Sequence, residues 1–308
     1  MLNKIVYLRD PHPSEPIIFN SDKLYTKRIL LTTTSLVLAA GVAQADVSFS
    51  GMGEVSYAKA GAADDMALRT GYDLNIALSG SSDNGITYSM GTDIGGGNTI
   101  DRNDDFAIDD QDMAATVPTM TIGYGDLTIT AKQDGIDDLY DDSQNGDVGI
   151  SGSMGGLSFA VVADTDSDAT STSFSLSGAT GGMTWALVST DTNDAPDSSA
   201  AQKVTLGYTV SDSLSASFKY DTKGSADAIT TVGITNVMGA ITVGLSADNN
   251  DDWDASVAYT AGALTASFAT DEDSAWELVS EYDLGGGATA FLTTTESEFT
   301  AIGMSFAF

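Results

Sequence analysis

The sequence predicts an all-β protein built as a transmembrane, antiparallel, up-and-down β-barrel. Three observations carry that expectation. Short segments alternate large apolar with small or polar residues. Their connections alternate between short turns and longer polar loops. The charged residues of the segments keep to one phase of the alternation.

Composition sets the frame. The 308 residues hold 44 acidic and 12 basic side chains, a net charge of −32, which excludes electrostatic binding of nucleic acid. There is no cysteine, so disulfides and thiolate metal sites are excluded, and the one histidine, His12, lies near the N-terminus. Glycine is frequent (32) and proline scarce (5), and a 42% hydrophobic content exceeds that of a disordered acidic chain.

The N-terminus reads as a processing segment. Lys27 and Arg28 precede an apolar stretch that ends in Ala43, Gln44 and Ala45, the small-x-small pattern of a signal-peptidase site. Residues 27–45 are therefore expected to be an export signal cleaved before Asp46. Residues 1–26 differ in composition from the rest and read as an N-terminal extension or a mis-called start. The remaining 263 residues, 46–308, are expected to form the barrel; they carry 7 basic and 41 acidic side chains. No stretch beyond Ala45 approaches the ~20 apolar residues of a membrane-spanning helix.

The segments 72–78, 127–131, 157–161, 204–210, 214–220, 241–245 and 302–308 show period-two alternation most clearly. That period is the signal of a strand with one apolar face. Short Gly- or Ser-centred turns fall at 80–85, 123–126, 152–156, 178–182, 211–213, 238–239, 261–262 and 285–287. Longer loops fall at 58–68, 95–115, 133–146, 164–171, 191–202, 222–227, 248–254, 270–274 and 295–297. Seventeen connections imply eighteen strands. Short turns on one rim and long loops on the other is the layout of outer-membrane barrels.

Charge placement supports the same layout. Twenty-eight acids lie in the long loops and ten in strands. When the large apolar residues define the outer face, nine of those ten, including Glu54, Asp73, Glu277, Glu281 and Asp283, take the inner phase; Glu298 is the exception. The four strand bases Arg69, Lys132, Lys203 and Lys219 also point inward. A basic side chain facing lipid at mid-membrane costs ~2–4 kcal/mol, so one-sided charge is what lipid outside and water inside require. The alternation alone also fits a secreted, acidic, soluble β-rich binding or surface-layer protein, whose apolar faces would pair across a sandwich.

The C-terminus separates the two. The segments 280–289 (SEYDLGGGAT) and 302–308 (IGMSFAF) resemble the general bacterial porin family, most closely the Rhodobacter-type outer-membrane porins of alphaproteobacteria. Ile302, Met304, Phe306 and the terminal Phe308 resemble the signal that hands such barrels to the barrel-assembly machinery. The resemblance implies a homotrimer in outer-membrane lipid with 16 strands per barrel, so the expected count is 16 to 18. It implies a water-filled channel for passive diffusion of small hydrophilic solutes, because a barrel this wide cannot be filled by side chains. It further implies a constriction made by the third long loop, 133–146, with Asp134, Asp137, Asp138, Tyr140, Asp141 and Asp142 opposing Arg69, Lys132, Lys203 and Lys219. The inward excess of acids makes cations the expected preference.

Other chemistries find less support. Asp164, Asp166 and Asp168 alternate as carboxylates do in calcium loops, but Ala169 and Ser175 stand where an EF-hand needs Gly and Glu. Residues 248–254 fail likewise, with Trp253 and Tyr259 at those positions. Weak calcium binding at these acidic loops and a solvated anionic rim both remain open; no other cofactor is expected. Residues 46–308 contain no histidine, which removes the usual general base of outer-membrane hydrolases, and no enzymatic activity is expected. Tyr57, Tyr124 and Tyr282 fall near strand ends, where aromatic girdles form.

Overall fold

A computed structural model of the chain describes residues 45–308 apart from 104, 112, 114, 116, 142–143, 166–170, 192–198 and 225. The expected 1–26 extension lies outside the described residues, as does the expected 27–45 signal except for Ala45, where the first strand begins.

Nineteen strands follow one another without a described helix. They are β1 (Ala45–Lys59), β2 (Ala67–Ser81), β3 (Thr87–Ile100), β4 (Ile108–Asp110), β5 (Thr119–Tyr124) and β6 (Leu127–Asp137). Next come β7 (Asn145–Met154), β8 (Leu157–Ala163), β9 (Thr172–Thr180), β10 (Met183–Thr190), β11 (Ala201–Thr209) and β12 (Leu214–Asp221). The last are β13 (Ile229–Met238), β14 (Ile241–Asp248), β15 (Trp253–Ala261), β16 (Leu264–Asp271), β17 (Trp276–Gly285), β18 (Ala288–Thr295) and β19 (Thr300–Ala307).

Eighteen of them form the wall. Each pairs antiparallel with its chain neighbours, β3 passes directly to β5, and β19 closes on β1 through Met52–Lys59 and Thr300–Ala307. The 16-strand pattern implied by the resemblance does not hold here, because all nine hairpins of the alternating sequence enter the wall. Closure leaves no open edge, so the backbone polar groups of the wall find partners within it.

Register fixes which face is which. Residues opposite each other in a ladder share a face, and the same phase propagates around the ring. Leu78 pairs with Met90, Ile129 with Ile150, Val161 with Phe174, Leu206 with Phe218, and Val257 with Phe268. Leu292 then pairs with Ile302 and Ile302 with Tyr57, closing the circuit in phase. The apolar face is the exposed one: Phe49, Leu78, Ile150, Leu206, Val232, Leu245 and Ile302 are all exposed. A single closed sheet has no second sheet to cover this face, so the soluble sandwich reading is set aside.

The turn rim is built from tight connections. Gly155 and Gly156 between β7 and β8 have φ of 63° and 84°. Positive φ at both central residues suits the right-handed twist of a two-residue hairpin and strains any residue with a Cβ. The exposed Tyr124, Tyr208, Tyr259 and Tyr282 sit toward this rim, and Tyr57, Tyr220 and Trp253 toward the other. Those are the two depths at which amphipathic rings are favoured in a bilayer.

Candidate channel lining and constriction

The inner face collects the charged side chains. Glu54 lies opposite Ser305, Asp73 opposite Gly95, Glu277 opposite Ala269 and Thr295, Glu281 opposite Thr265 and Phe291, and Asp283 opposite Thr289. Arg69 pairs with Ser56, Lys203 with Val188 and Asp221, and Lys219 with Thr205 and Thr231. Lys132 follows the outward Ala131 and so faces inward, its methylenes lying over Gly135.

Part of the long polar loop expected at 95–115 occupies this lumen. At Gly97, φ is +78° and a Cβ would lie 2.1 Å from the carbonyl oxygen of Thr70. Beyond it the chain leaves the wall and turns inward. The strap 98–111 pairs with itself through β4, and the Gln111 N–H donates to Gly97 O at 2.8 Å. Arg102 fastens it. Its Nη1 donates to Glu54 Oε2 at 2.8 Å, its Nε donates to Glu281 Oε1 at 3.1 Å, and its guanidinium lies 4.1 Å above the Phe291 ring. The Ile100 N–H donates to the other Glu54 oxygen at 3.0 Å, and the Glu54 side chain is fully buried.

A small apolar core backs this ion-pair cluster inside the lumen. Ala58, Ile100, Phe291, Phe299 and Ala301 are buried together, with Phe106 and Ile108 packed against them and Phe106 edge-on to Phe299 at 6.5 Å. Gly303 makes room for Phe291, whose ring would lie 2.7 Å from a Cβ there. Two signals could have found the strap: apolar Ile100, Phe106 and Ile108 inside an acidic run, and Phe291 on the polar phase of β18.

The expected constriction loop is shorter than read. β6 runs to Asp137 and β7 starts at Asn145, so Asp134 and Asp137 belong to a strand, not to a loop. A register shift between Ala131 and Ile136, with Asp134 at φ 47°, accommodates the extra residues and hid the strand's continuation. In the connection that remains, 138–144, the described residues 138–141 fold inward. The buried Asp138 carboxylate accepts the N–H groups of Tyr140 and Asp141 at 2.8 and 3.0 Å, and the Leu139 N–H donates to Ser173 Oγ at 2.9 Å. The Tyr140 hydroxyl donates to Asp221, and Lys203 Nζ lies 4.6 Å from its ring and donates to its carbonyl at 3.3 Å. Burial and the Asp221 carboxylate push the Tyr140 hydroxyl well above the usual phenol range. Asp142 lies outside the described residues.

The strap rests on β17–β19 and β1, and the 138–144 loop on β9–β12, about half the ring away. Two segments thus reach into the lumen from opposite sides. Sequence reasoning brought one of them forward.

Of the alternate carboxylates at 164, 166 and 168, only Asp164 is described. Its acidic neighbours are Asp134 and Asp147, the carboxylate oxygens of the three lying within 4.8 Å of one another. Asp147 already accepts the N–H groups of Asp134 and Thr165, both at 2.9 Å. At the C-terminus Ile302, Met304 and Phe306 lie on the outer face of β19. Phe308 exchanges both backbone hydrogen bonds with Gly51 at 3.0 Å.

A closed antiparallel wall with an apolar exterior, a charged interior and luminal segments defines an outer-membrane channel. The model of the Gram-negative porin family matches residues 32–301, and the chain belongs to that family. Among solved structures it is similar to a mutant of the Rhodopseudomonas blastica porin, at 14% identity and a TM-score of 0.50 over 86% of this chain and 100% of that one. It is likewise similar to a porin solved at 1.8 Å, at 15% identity and a TM-score of 0.50 over 85% of this chain and 100% of that one. Among curated proteins no significant match is found. The protein is an outer-membrane channel of Gram-negative type.

Proposed function

We propose that this porin is a passive channel for small hydrophilic solutes that prefers cations, and that it works as a homotrimer in outer-membrane lipid. The charge balance of the lumen carries the reading. The inward acids outnumber the inward bases, and the strap's cation Arg102 is spent on Glu54 and Glu281. What remains to meet a solute is an excess of carboxylate, and fixed charge around a narrow aqueous path selects by sign. The strap and the 138–144 loop are the two jaws of the constriction in this reading, with Lys203 and Tyr140 on one jaw and Asp101, Asp105 and Asp109 on the other. The outward row of β19 and Phe308 serves as the assembly signal, residues 27–45 as the export signal, and the acidic loops as a solvated anionic rim. Proteoliposomes in isotonic uncharged solutes test the transport claim. Swelling should be fast for the smallest solute and slow progressively with solute size. Liposomes that do not swell in any solute would overturn it.

A further inference from the structure

A second luminal feature lies beside the 138–144 jaw, with which it shares Asp221, toward the loop rim on the wall of β12–β15. A cavity of about 270 Å³ opens there, with Lys219 and the paired Lys223 and Asp221 on the β12 side and Asp248, Asp252 and Asp254 on the β14–β15 side. Lys219, Thr231 and Asp248 form one row across three adjacent strands, Lys219 opposite Thr231 and Thr231 opposite Asp248. Asp254 stands beside that row on β15, paired with Ser246, whose hydroxyl donates to Asp254 Oδ2 at 2.9 Å. Small polar Thr231 and Ser246 form the floor between the charges, so the cavity is open where a longer side chain would close it.

The charges do not neutralise one another. Among the described residues neither Lys219 nor Asp254 enters an ion pair, whereas the nearby Lys223 pairs with Asp221 at 3.4 Å. One Asp248 oxygen is occupied by the Asn250 N–H at 2.7 Å, which fixes the carboxylate at the end of β14. Two ladder spacings separate the Lys219 and Asp248 strands, roughly 9–10 Å. A small solute carrying an ammonium and a carboxylate a few bonds apart meets an opposite charge of this lining at each end, with a charge-assisted hydrogen bond of about 2.8 Å.

We infer that this cavity is a luminal subsite for zwitterionic solutes of the amino-acid class. The solute carboxylate is taken by Lys219 and its ammonium by Asp248 and Asp254. This rests on the lumen being the conducting path and adds to cation preference a separate one for dipolar solutes. A simple acidic lining would draw in cations and leave zwitterions no better than neutral molecules. An ammonium facing carboxylates across a polar floor gives the dipole an orientation and a local concentration.

Alanine and lactamide, isomers of equal mass, supply the test in liposome swelling with the full-length protein. Wild type should admit alanine about two- to fivefold faster than lactamide, as a weak binding site in the path allows. Lys219→Gln, and Asp248→Asn combined with Asp254→Asn, should each bring the ratio to unity with the lactamide rate unchanged, which also reports an intact barrel. The charge-swapped double variant Lys219→Glu with Asp254→Lys should restore the ratio at unchanged net charge. Parity in wild type, an unaffected ratio in Lys219→Gln or in the double aspartate variant, or a swapped pair that stays at parity would each overturn the subsite. Failure of lactamide itself to enter would instead overturn the conducting channel, and the subsite with it.

Discussion

Arg102 holds the strap by chemistry that no local sequence pattern announces. Its partners Glu54 and Glu281 are 48 and 179 positions away. In sequence it stands among aspartates and reads as one more loop charge. Removing one member of a buried pair costs about 3–5 kcal/mol, because the other is left buried and uncompensated. Here the guanidinium is 16% and Glu281 38% exposed, so water screens part of that and a smaller cost is expected. Arg102→Gln should therefore loosen the strap without unfolding the wall. Amide exchange at Ile100 and the strap residues should quicken, and exchange at 241–245 should stay as it was. Equal protection in both proteins would contradict the role given to Arg102. Glu298, the one strand acid out of phase in sequence, has a plain resolution: it sits at φ 63° in the turn between β18 and β19 and pairs with Lys59 at 3.1 Å. An exposed pair of this kind is worth at most about 1 kcal/mol.

At the scale of elements, strand phase was legible and strand extent was not. Period-two alternation is a local property, and a strand with lipid on one side and water on the other must show it. Leu74, Phe218 and Leu245 face out, and Asp73, Lys219 and Glu277 face in, as the alternation reads. Cysteines placed at these six positions should divide under a water-soluble thiol reagent. The inward three should label and the outward three should not; labelling of both sets would mean the register is wrong. Strand ends escaped because pairing continues where alternation stops. The Gly-rich end of β3, including Gly95–Gly97, has no apolar rhythm, yet it pairs with Gly71–Asp73. The strand past Ala131 continues only after a register shift, which breaks the period that would have marked it. The strap was missed for the opposite reason. Its three apolar residues bury against a wall face that is polar elsewhere, so their meaning depends on contacts across the barrel.

For the whole molecule, the count of connections gave eighteen strands while the family resemblance pointed to sixteen, and the ring closes with eighteen. Counting succeeded because each hairpin carries its own turn residues and each turn is a local event. The narrowing of the lumen was only half legible, since a loop's inward fold depends on partners half a ring away. The central claim is that a charged lumen, acidic in balance, conducts water-borne ions. Fixed charges act within the pore over about 8 Å at physiological salt, so the inner carboxylates and those of the loop rim both bear on a passing ion. Their effect should fade as salt rises and as pH falls through the carboxylate range. Asp252 should protonate ahead of an ordinary aspartate, because desolvation and then its neighbours Asp248, Glu272, Asp273 and Asp251 raise its pKa. The zero-current potential of the protein in a planar bilayer under a KCl gradient measures the claim directly. The dilute side should become positive, and the potential should shrink when both salt concentrations are raised in proportion or the pH is lowered. A dilute side that becomes negative would contradict the account.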